Sequence, residues 1–447
     1  MTEPRRTLGL FLTTLLVVGT MIGSGIFLLP ASLAAIGSIS ILGWALAAIG
    51  AFLLAGVFAG LAELRPAAGG LFAYVGEALG PGPGFVIGVL YWFPFTLAPI
   101  ALAAGGYLAF FFPVLAHGWP QILATLAILW LLTLANFAGA RFIAGLGGWT
   151  LLIGAAPVLL IATLGWLAFD PRLFAAGWNP SAAVPAGAVW RSALLAFWAF
   201  VGVENAAIVA PMVRDPRRTV ALASFIGVAI AAILYIAASA ALMGMLPAPV
   251  LARSSAPFAD AAAPLLGPLA GAVIALAAMI KAAGSLAAGV LVTVETAESP
   301  AVLGQLRPAR AARDAARAPK RNLIVTGAIA SLAIIASASP TIAAQFTKVV
   351  EMSVILLMAA YLAACLALLR LAGEAPRPRR MAMRGVAALA SLFCLGILAA
   401  AEADLIAWAL GFAVLAVIAW LVARAISPTR AGVSPMKPIV IPREPRP

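Results

Sequence analysis

The chain has 447 residues, of which 64% are hydrophobic and 10% charged, with a mean hydropathy of +1.11. One water-soluble core cannot hide so much apolar surface, so a soluble enzyme or binding module is excluded and lipid is the solvent. The net charge of +13 would suit nucleic acid, but the positions of the charges exclude that reading.

Taken in chain order, MTEPRRTLGLFLTTLLVV places two arginines before an apolar run, as a signal peptide does. The run continues to about residue 35 with no small-residue cleavage site ahead of a soluble domain, so it reads as a retained first span. Breaks rich in Pro, Gly and charge then delimit hydrophobic segments at 8–34, 40–63, 83–114, 120–140, 143–168, 189–213, 219–246, 267–296, 322–344, 349–370, 384–401 and 404–425. The fold class expected is an all-α integral membrane protein with twelve transmembrane helices. These form one membrane domain over 1–425, followed at 426–447 by a Pro-rich tail expected to be disordered.

With the N-terminus inside, 23 of the 28 basic residues fall on cytoplasmic loops or termini. They include Arg5 and Arg6, Arg65, Arg141, the Arg214–Arg218 group and the stretch RPARAARDAARAPKR at 307–321. Arg172, Arg191, Arg253 and Lys348 fall outside, and Lys281 lies within a span. That asymmetry is the positive-inside signal. It places both termini in the cytoplasm of a multi-pass inner (plasma) membrane protein, and it assigns the basic excess to topology and anionic lipid headgroups. The partners expected are therefore the bilayer and a small molecule, and no nucleic acid.

The first span contains VGTMIGSGIFLLP at 18–30. Glycine costs about 1 kcal/mol relative to alanine inside a helix, so Gly19 and Gly23-Ser24-Gly25 weaken this span near its middle. One reading is close helix packing through small residues. The other is a discontinuous helix whose freed amides face a bound anion, a carboxylate being the natural ligand. The sixth span places Gly202, Glu204 and Asn205 at its middle in WAFVGVEN. Matched interruptions in spans 1 and 6 are what an inverted five-helix repeat produces, and unwound carbonyls there suit an ammonium group.

These stretches, with RPAAGGLFAYVGEALGPGPGFVIGVLYW at 65–92, MVRDPRRTV at 212–220 and AALMGMLP at 240–247, resemble the amino acid/polyamine/organocation superfamily. Within it the chain is most similar to bacterial arginine/agmatine-type antiporters, over helices 1–12 and nearly without insertion. The resemblance implies repeats of helices 1–5 (about 8–168) and 6–10 (about 189–370), with helices 11 and 12 at 384–425. It further implies alternating access around a central amino-acid site, with a homodimer as a possible assembly and no cofactor.

Carried over residue by residue, the resemblance sets the backbone of Met21, Ile22, Gly23, Ser24 and Gly25 around the substrate carboxylate. Carbonyls near Trp198, Ala199, Val201 and Gly202 receive its α-ammonium, and Trp198 covers the ligand; the alternative for Trp198 is an ordinary buried aromatic. Glu204 matches a proton-sensing carboxylate, against the alternative of a glutamate that locks helix 6. In the distal pocket a guanidinium-stacking tryptophan of relatives is replaced by Gly289 and an asparagine by Pro99, while Ser353 is kept. With Pro94, Phe95, Leu102 and Leu356 nearby, these departures favour a neutral, apolar amino acid over arginine. Exchange of basic amino acids or polyamines is the alternative.

Lys281 sits well over a turn from either end of its span, so it must face a cavity or a partner, or titrate. Its amine is read as standing where sodium-coupled transporters of the same architecture hold a cation, with Ser285 one turn further on. Pairing with an acidic substrate group, or a structural ion pair with Glu204, are the alternatives. Glu63, Arg65 and Glu77 are expected to organise the loop after span 2, and Glu295 and Glu298 to pair with nearby basic residues. Glu351, Glu402 and Asp404 are expected to be solvated near the outer face. Cys365 and Cys394 read as reduced packing residues, and the single histidine, His117, cannot build a metal site or triad. No nucleophile–base pair and no phosphate-binding loop is present, so the reading is a secondary transporter and not an enzyme. A channel or a non-transporting sensor is the alternative from another class.

Overall fold

In hydrocarbon every backbone amide must be satisfied within its own segment or an adjacent one, which for apolar runs of this length means helices. The computed structural model describes residues 8–23, 25–66, 70–92, 96–180, 182–297 and 320–426. Arg5, Arg6, Ser24, Pro94, Phe95, Glu298, most of the basic 307–321 stretch and the tail from 427 lie outside the described residues, as do the side chains of Arg141 and Glu295.

All the described elements are helical. Among the described residues nine helices are long and apolar enough to cross a membrane, and a pair bent by 46°, Leu10–Met21 with Gly25–Ala34, counts as a tenth when taken as one broken span. The shorter helices Pro81–Trp92 and Leu97–Phe111 fall where span 3 is expected, and Lys320–Ala336 where span 9 is expected. The others are span 2 (Ser40–Leu64), span 4 (Gly118–Ala135), span 5 (Ala140–Leu164), span 6 (opening with Pro185–Phe197), span 7 (Pro216–Met245), span 8 (Pro268–Ala297), span 10 (Ile342–Leu371), span 11 (Arg377–Ala399) and span 12 (Ala403–Ile426).

Two boundaries differ from the hydropathy reading. Span 9 ends at Ala336 and span 10 begins at Ile342, because Thr341 caps span 10 by accepting the Ala344 N–H at 3.2 Å just after Pro340. A side-chain oxygen at the N-cap satisfies one of the orphan amides and fixes the start. Span 11 begins seven residues earlier than expected, at Arg377, so its first turn carries arginines out of the apolar region.

The burial pattern is inverted relative to a soluble protein. Leu131, Trp149 and Val414 are largely exposed on the lipid-facing perimeter, whereas Phe27, Trp44, Phe58, Tyr107, Phe197, Phe200, Tyr235 and Tyr361 are fully buried. Spans 1, 3, 6, 8 and 10 surround the centre. Gly25–Ala34 packs on spans 3, 6 and 10, and span 8 packs on Leu97–Phe111. Between spans 7 and 8 a short helix, Pro257–Leu266, is tied to span 1 through Tyr107, which donates to the Phe27 carbonyl at 3.1 Å and accepts the Phe258 N–H at 3.4 Å. At the opposite end of span 1, Leu8 forms an isolated parallel bridge with Val213. It donates to the Met212 carbonyl at 3.1 Å and accepts the Arg214 N–H at 3.0 Å.

Candidate functional site

Both breaks are present, and they face each other. Span 1 stops at Met21. Ile22 leaves helical geometry at φ −71°, ψ 62°, with its N–H on the Val18 carbonyl at 2.8 Å, and Gly23 donates to the Met21 carbonyl at 2.6 Å. A Cβ at Gly23 would meet only carbonyls of its own segment, so the packing reading does not apply there. The helix restarts at Gly25. Amides of a helix's first turn have no carbonyl one turn back. Those of Gly25, Ile26 and Phe27 donate to no carbonyl or side chain among the described residues. Together with the helix dipole they make this terminus electropositive.

Span 6 unwinds further. After Phe197 come a 3₁₀ turn (Trp198–Phe200), extended Val201 (φ −60°, ψ 131°) and Gly202 at φ +107°. Only one helical turn follows, Asn205–Ile208. Val201, Val203 and Asn205 donate to the carbonyls of Trp198, Phe200 and Gly202 at 3.0–3.3 Å. The carbonyls of Ala199 and Val201 accept no hydrogen bond among the described residues. The breaks run antiparallel in register. A Cβ on Gly25 would lie 2.7 Å from the Trp198 ring, and one on Gly202 would lie 3.1 Å from the Thr20 hydroxyl. Glycine at both points is what permits this approach. Donors from span 1 and acceptors from span 6 thus converge midway along their helices.

Glu204 lies below that convergence and is 1% exposed. Its Oε1 accepts from the Tyr91 hydroxyl at 2.6 Å. Its Oε2 accepts from the Tyr361 hydroxyl at 2.8 Å and from the Gly202 N–H at 3.1 Å. One carboxylate therefore joins spans 3, 6 and 10. Neither tyrosine was singled out from sequence, although a signal existed. The chain has only five tyrosines, four of them in the apolar segments, where a phenol needs a partner for its hydroxyl.

The remaining expected residues are dispersed. Ser353 is buried and its hydroxyl donates back to the Val349 carbonyl at 2.8 Å. Gly289 faces span 3, where a Cβ would lie 3.0 Å from Leu97 and 3.7 Å from Ile100. Pro99, Leu102 and Leu356 are buried in the same interior. Lys281 is 5% exposed, and its stem lies against span 5, where a Cβ on Gly154 would overlap it. It forms no ion pair among the described residues, so the pair with Glu204 is not made; that carboxylate is taken by two phenols and an amide.

Ion pairs frame the two ends. Arg65 binds Glu77 at 2.8 Å as expected, and also Glu374 at 2.7 Å, while Glu63 is held by Arg379 at 2.7 Å. At the other end Arg191 contacts Glu402 at 2.8 Å and Glu351 at 3.4 Å. Glu351 is buried rather than solvated, because the early start of span 10 carries it inside the helix. Cys365 and Cys394 are free and buried.

Residues 8–403 match the amino acid permease family. The chain is 37% identical to the cadaverine/lysine antiporter of Escherichia coli K12, over 82% of this chain and 84% of that protein. It is 31% identical to the putrescine transporter PotE of the same strain (78% and 80% covered) and 30% identical to that of Haemophilus influenzae (90% and 93%).

Proposed function

Because the chain belongs to the amino acid permease family and is therefore a membrane transporter, we propose that it exchanges a basic amino acid for a polyamine by alternating access. The relatives named for cadaverine, lysine and putrescine favour this over the neutral amino acid that the replaced pocket residues suggested. Gly289 and Pro99 carry little weight against it, since Gly289 abuts span 3.

The observation that supports the reading most is the buried Glu204 carboxylate on the Gly202 amide, in the same break as the open carbonyls of Ala199 and Val201. An ammonium finds acceptors and negative charge there, whether it belongs to a diamine or to an amino acid. Only the amino acid also has a carboxylate, and for it the free amides from Gly25 onward, with Met21, Ile22, Gly23 and Ser24 beside them, form the receiving end. Trp198 against Gly25 closes the chamber on one side, and the Tyr91–Glu204–Tyr361 group closes it on the other. In this reading Glu204 carries or senses the coupled proton. Lys281 supplies a fixed cation beside span 5 in place of a coupling metal ion. Both termini face the cytoplasm, as the basic loops direct.

The test is counterflow in proteoliposomes preloaded with lysine, cadaverine or putrescine. External labelled lysine should accumulate in each case. Accumulation driven by methionine, leucine or phenylalanine and not by the diamines would restore the neutral reading. A channel would show flux without stimulation by internal substrate.

A further inference from the structure

Phe200 stands between the two open carbonyls of the span 6 break, and its ring is seated on the scaffold. It meets Trp44 of span 2 and Tyr235 of span 7 at centroid distances of 6.0 and 5.6 Å, and those two rings lie 5.5 Å apart. All three side chains are fully buried.

The seat has an unusual polarity. Among the described residues Trp44 Nε1 and Tyr235 Oη have no hydrogen-bond partner, and neither has Ser239 Oγ one turn along from Tyr235. The other four tyrosines are all engaged: Tyr91 and Tyr361 on Glu204, Tyr107 on the Phe27 carbonyl, and Tyr74 near the Ala207 carbonyl at 3.5 Å. Buried hydroxyls such as Ser192, Ser353 and Thr125 bond back to the carbonyl four residues earlier, whereas those of Thr14, Ser224 and Thr326 also lack a partner among the described residues. A buried donor without an acceptor bears its full desolvation cost, and a phenylalanine would fill the Tyr235 site without it. Phe200 thus has an open carbonyl before and after it in the chain, and its ring packs on two rings whose donors are idle.

We propose that Trp44 and Tyr235 are positioning residues for the span 6 break, whose idle donors engage the carbonyls of Ala199 and Val201 when the break turns away from the conformation seen here. The pair therefore favours the alternate state and speeds passage between states without touching substrate. This inference rests on the transport reading above, and its test separates the two. Wild-type protein in proteoliposomes is first assayed for lysine–cadaverine counterflow, and a wild type without exchange overturns the transport reading itself.

With exchange established, Tyr235→Phe removes one oxygen from a site that already tolerates its isolation. Exchange at saturating lysine should fall about fivefold or more, with KM not raised. The apparent melting temperature of the purified, ligand-free protein should stay level or rise. Tyr91→Phe, which breaks a bond present in this conformation, should lower that temperature. Trp44→Phe is the second variant; it removes Nε1–H, keeps an aromatic ring, and should slow exchange in the same direction. Exchange within about twofold of wild type for Tyr235→Phe, or a lowered melting temperature, overturns the proposal.

Discussion

Span 1 resumes after its break as a ten-residue helix buried along its whole length, whereas span 6 loses its helix from Trp198 to Glu204 and recovers only one turn. The first break is shaped by contact, with Gly25 against an indole and amide donors left open. The second is held by hydrogen bonds, with Glu204 reaching back to the Gly202 amide and outward to two tyrosines, and with carbonyls left open. The region between the breaks therefore has a donor end and an acceptor end. In the proposed function a zwitterion would use both, and a diamine mainly the second.

That division can be attacked at either end. Glu204→Gln should be the most damaging change. It removes the charge at the acceptor end, at a cost of about 3 kcal/mol for a buried hydrogen-bonded carboxylate, which is roughly 100-fold in exchange. Lysine and cadaverine should suffer alike, and counterflow with each substrate reads it; a loss confined to one would break the comparison.

Gly25→Ala comes next. Its Cβ would sit 2.7 Å from the Trp198 ring, and overpacking of this kind costs about 1–3 kcal/mol. Thermal-shift titrations should show lysine weakened more than cadaverine, because the displaced amides serve the carboxylate. Equal weakening would mean that the donor end is not used.

Gly202→Ala should be mildest. It forces a side chain into the left-handed region at φ +107°, worth about 1–2 kcal/mol. The melting temperature should fall, with both ligands affected in proportion.

Much of the site was legible because glycine and charge are costly in a spanning helix. Gly23 to Gly25 and Gly202 to Glu204 stood out on that ground alone. The partners of Glu204 did not, since Tyr91 and Tyr361 come from other spans and meet it only through packing. The same holds for Gly289, whose contact with Leu97 depends on how span 8 rotates against span 3. Hydropathy ran span 9 past its true end at Ala336 and started span 10 seven residues late. A sliding average registers apolar content, while the boundary is set by the hydroxyl of Thr341 next to a proline. Burial of Glu351 was missed through that boundary, not through misjudged chemistry.

The small bridge between Leu8 and Val213 has a mechanical consequence. Two backbone hydrogen bonds clasp the entry to span 1 to the exit of span 6. The half of span 1 before its break and the half of span 6 after its break thus form one lever with a shared handle. Swinging either of them outward drags the other along, and it does so relative to the Gly25–Ala34 helix, which the clasp does not hold.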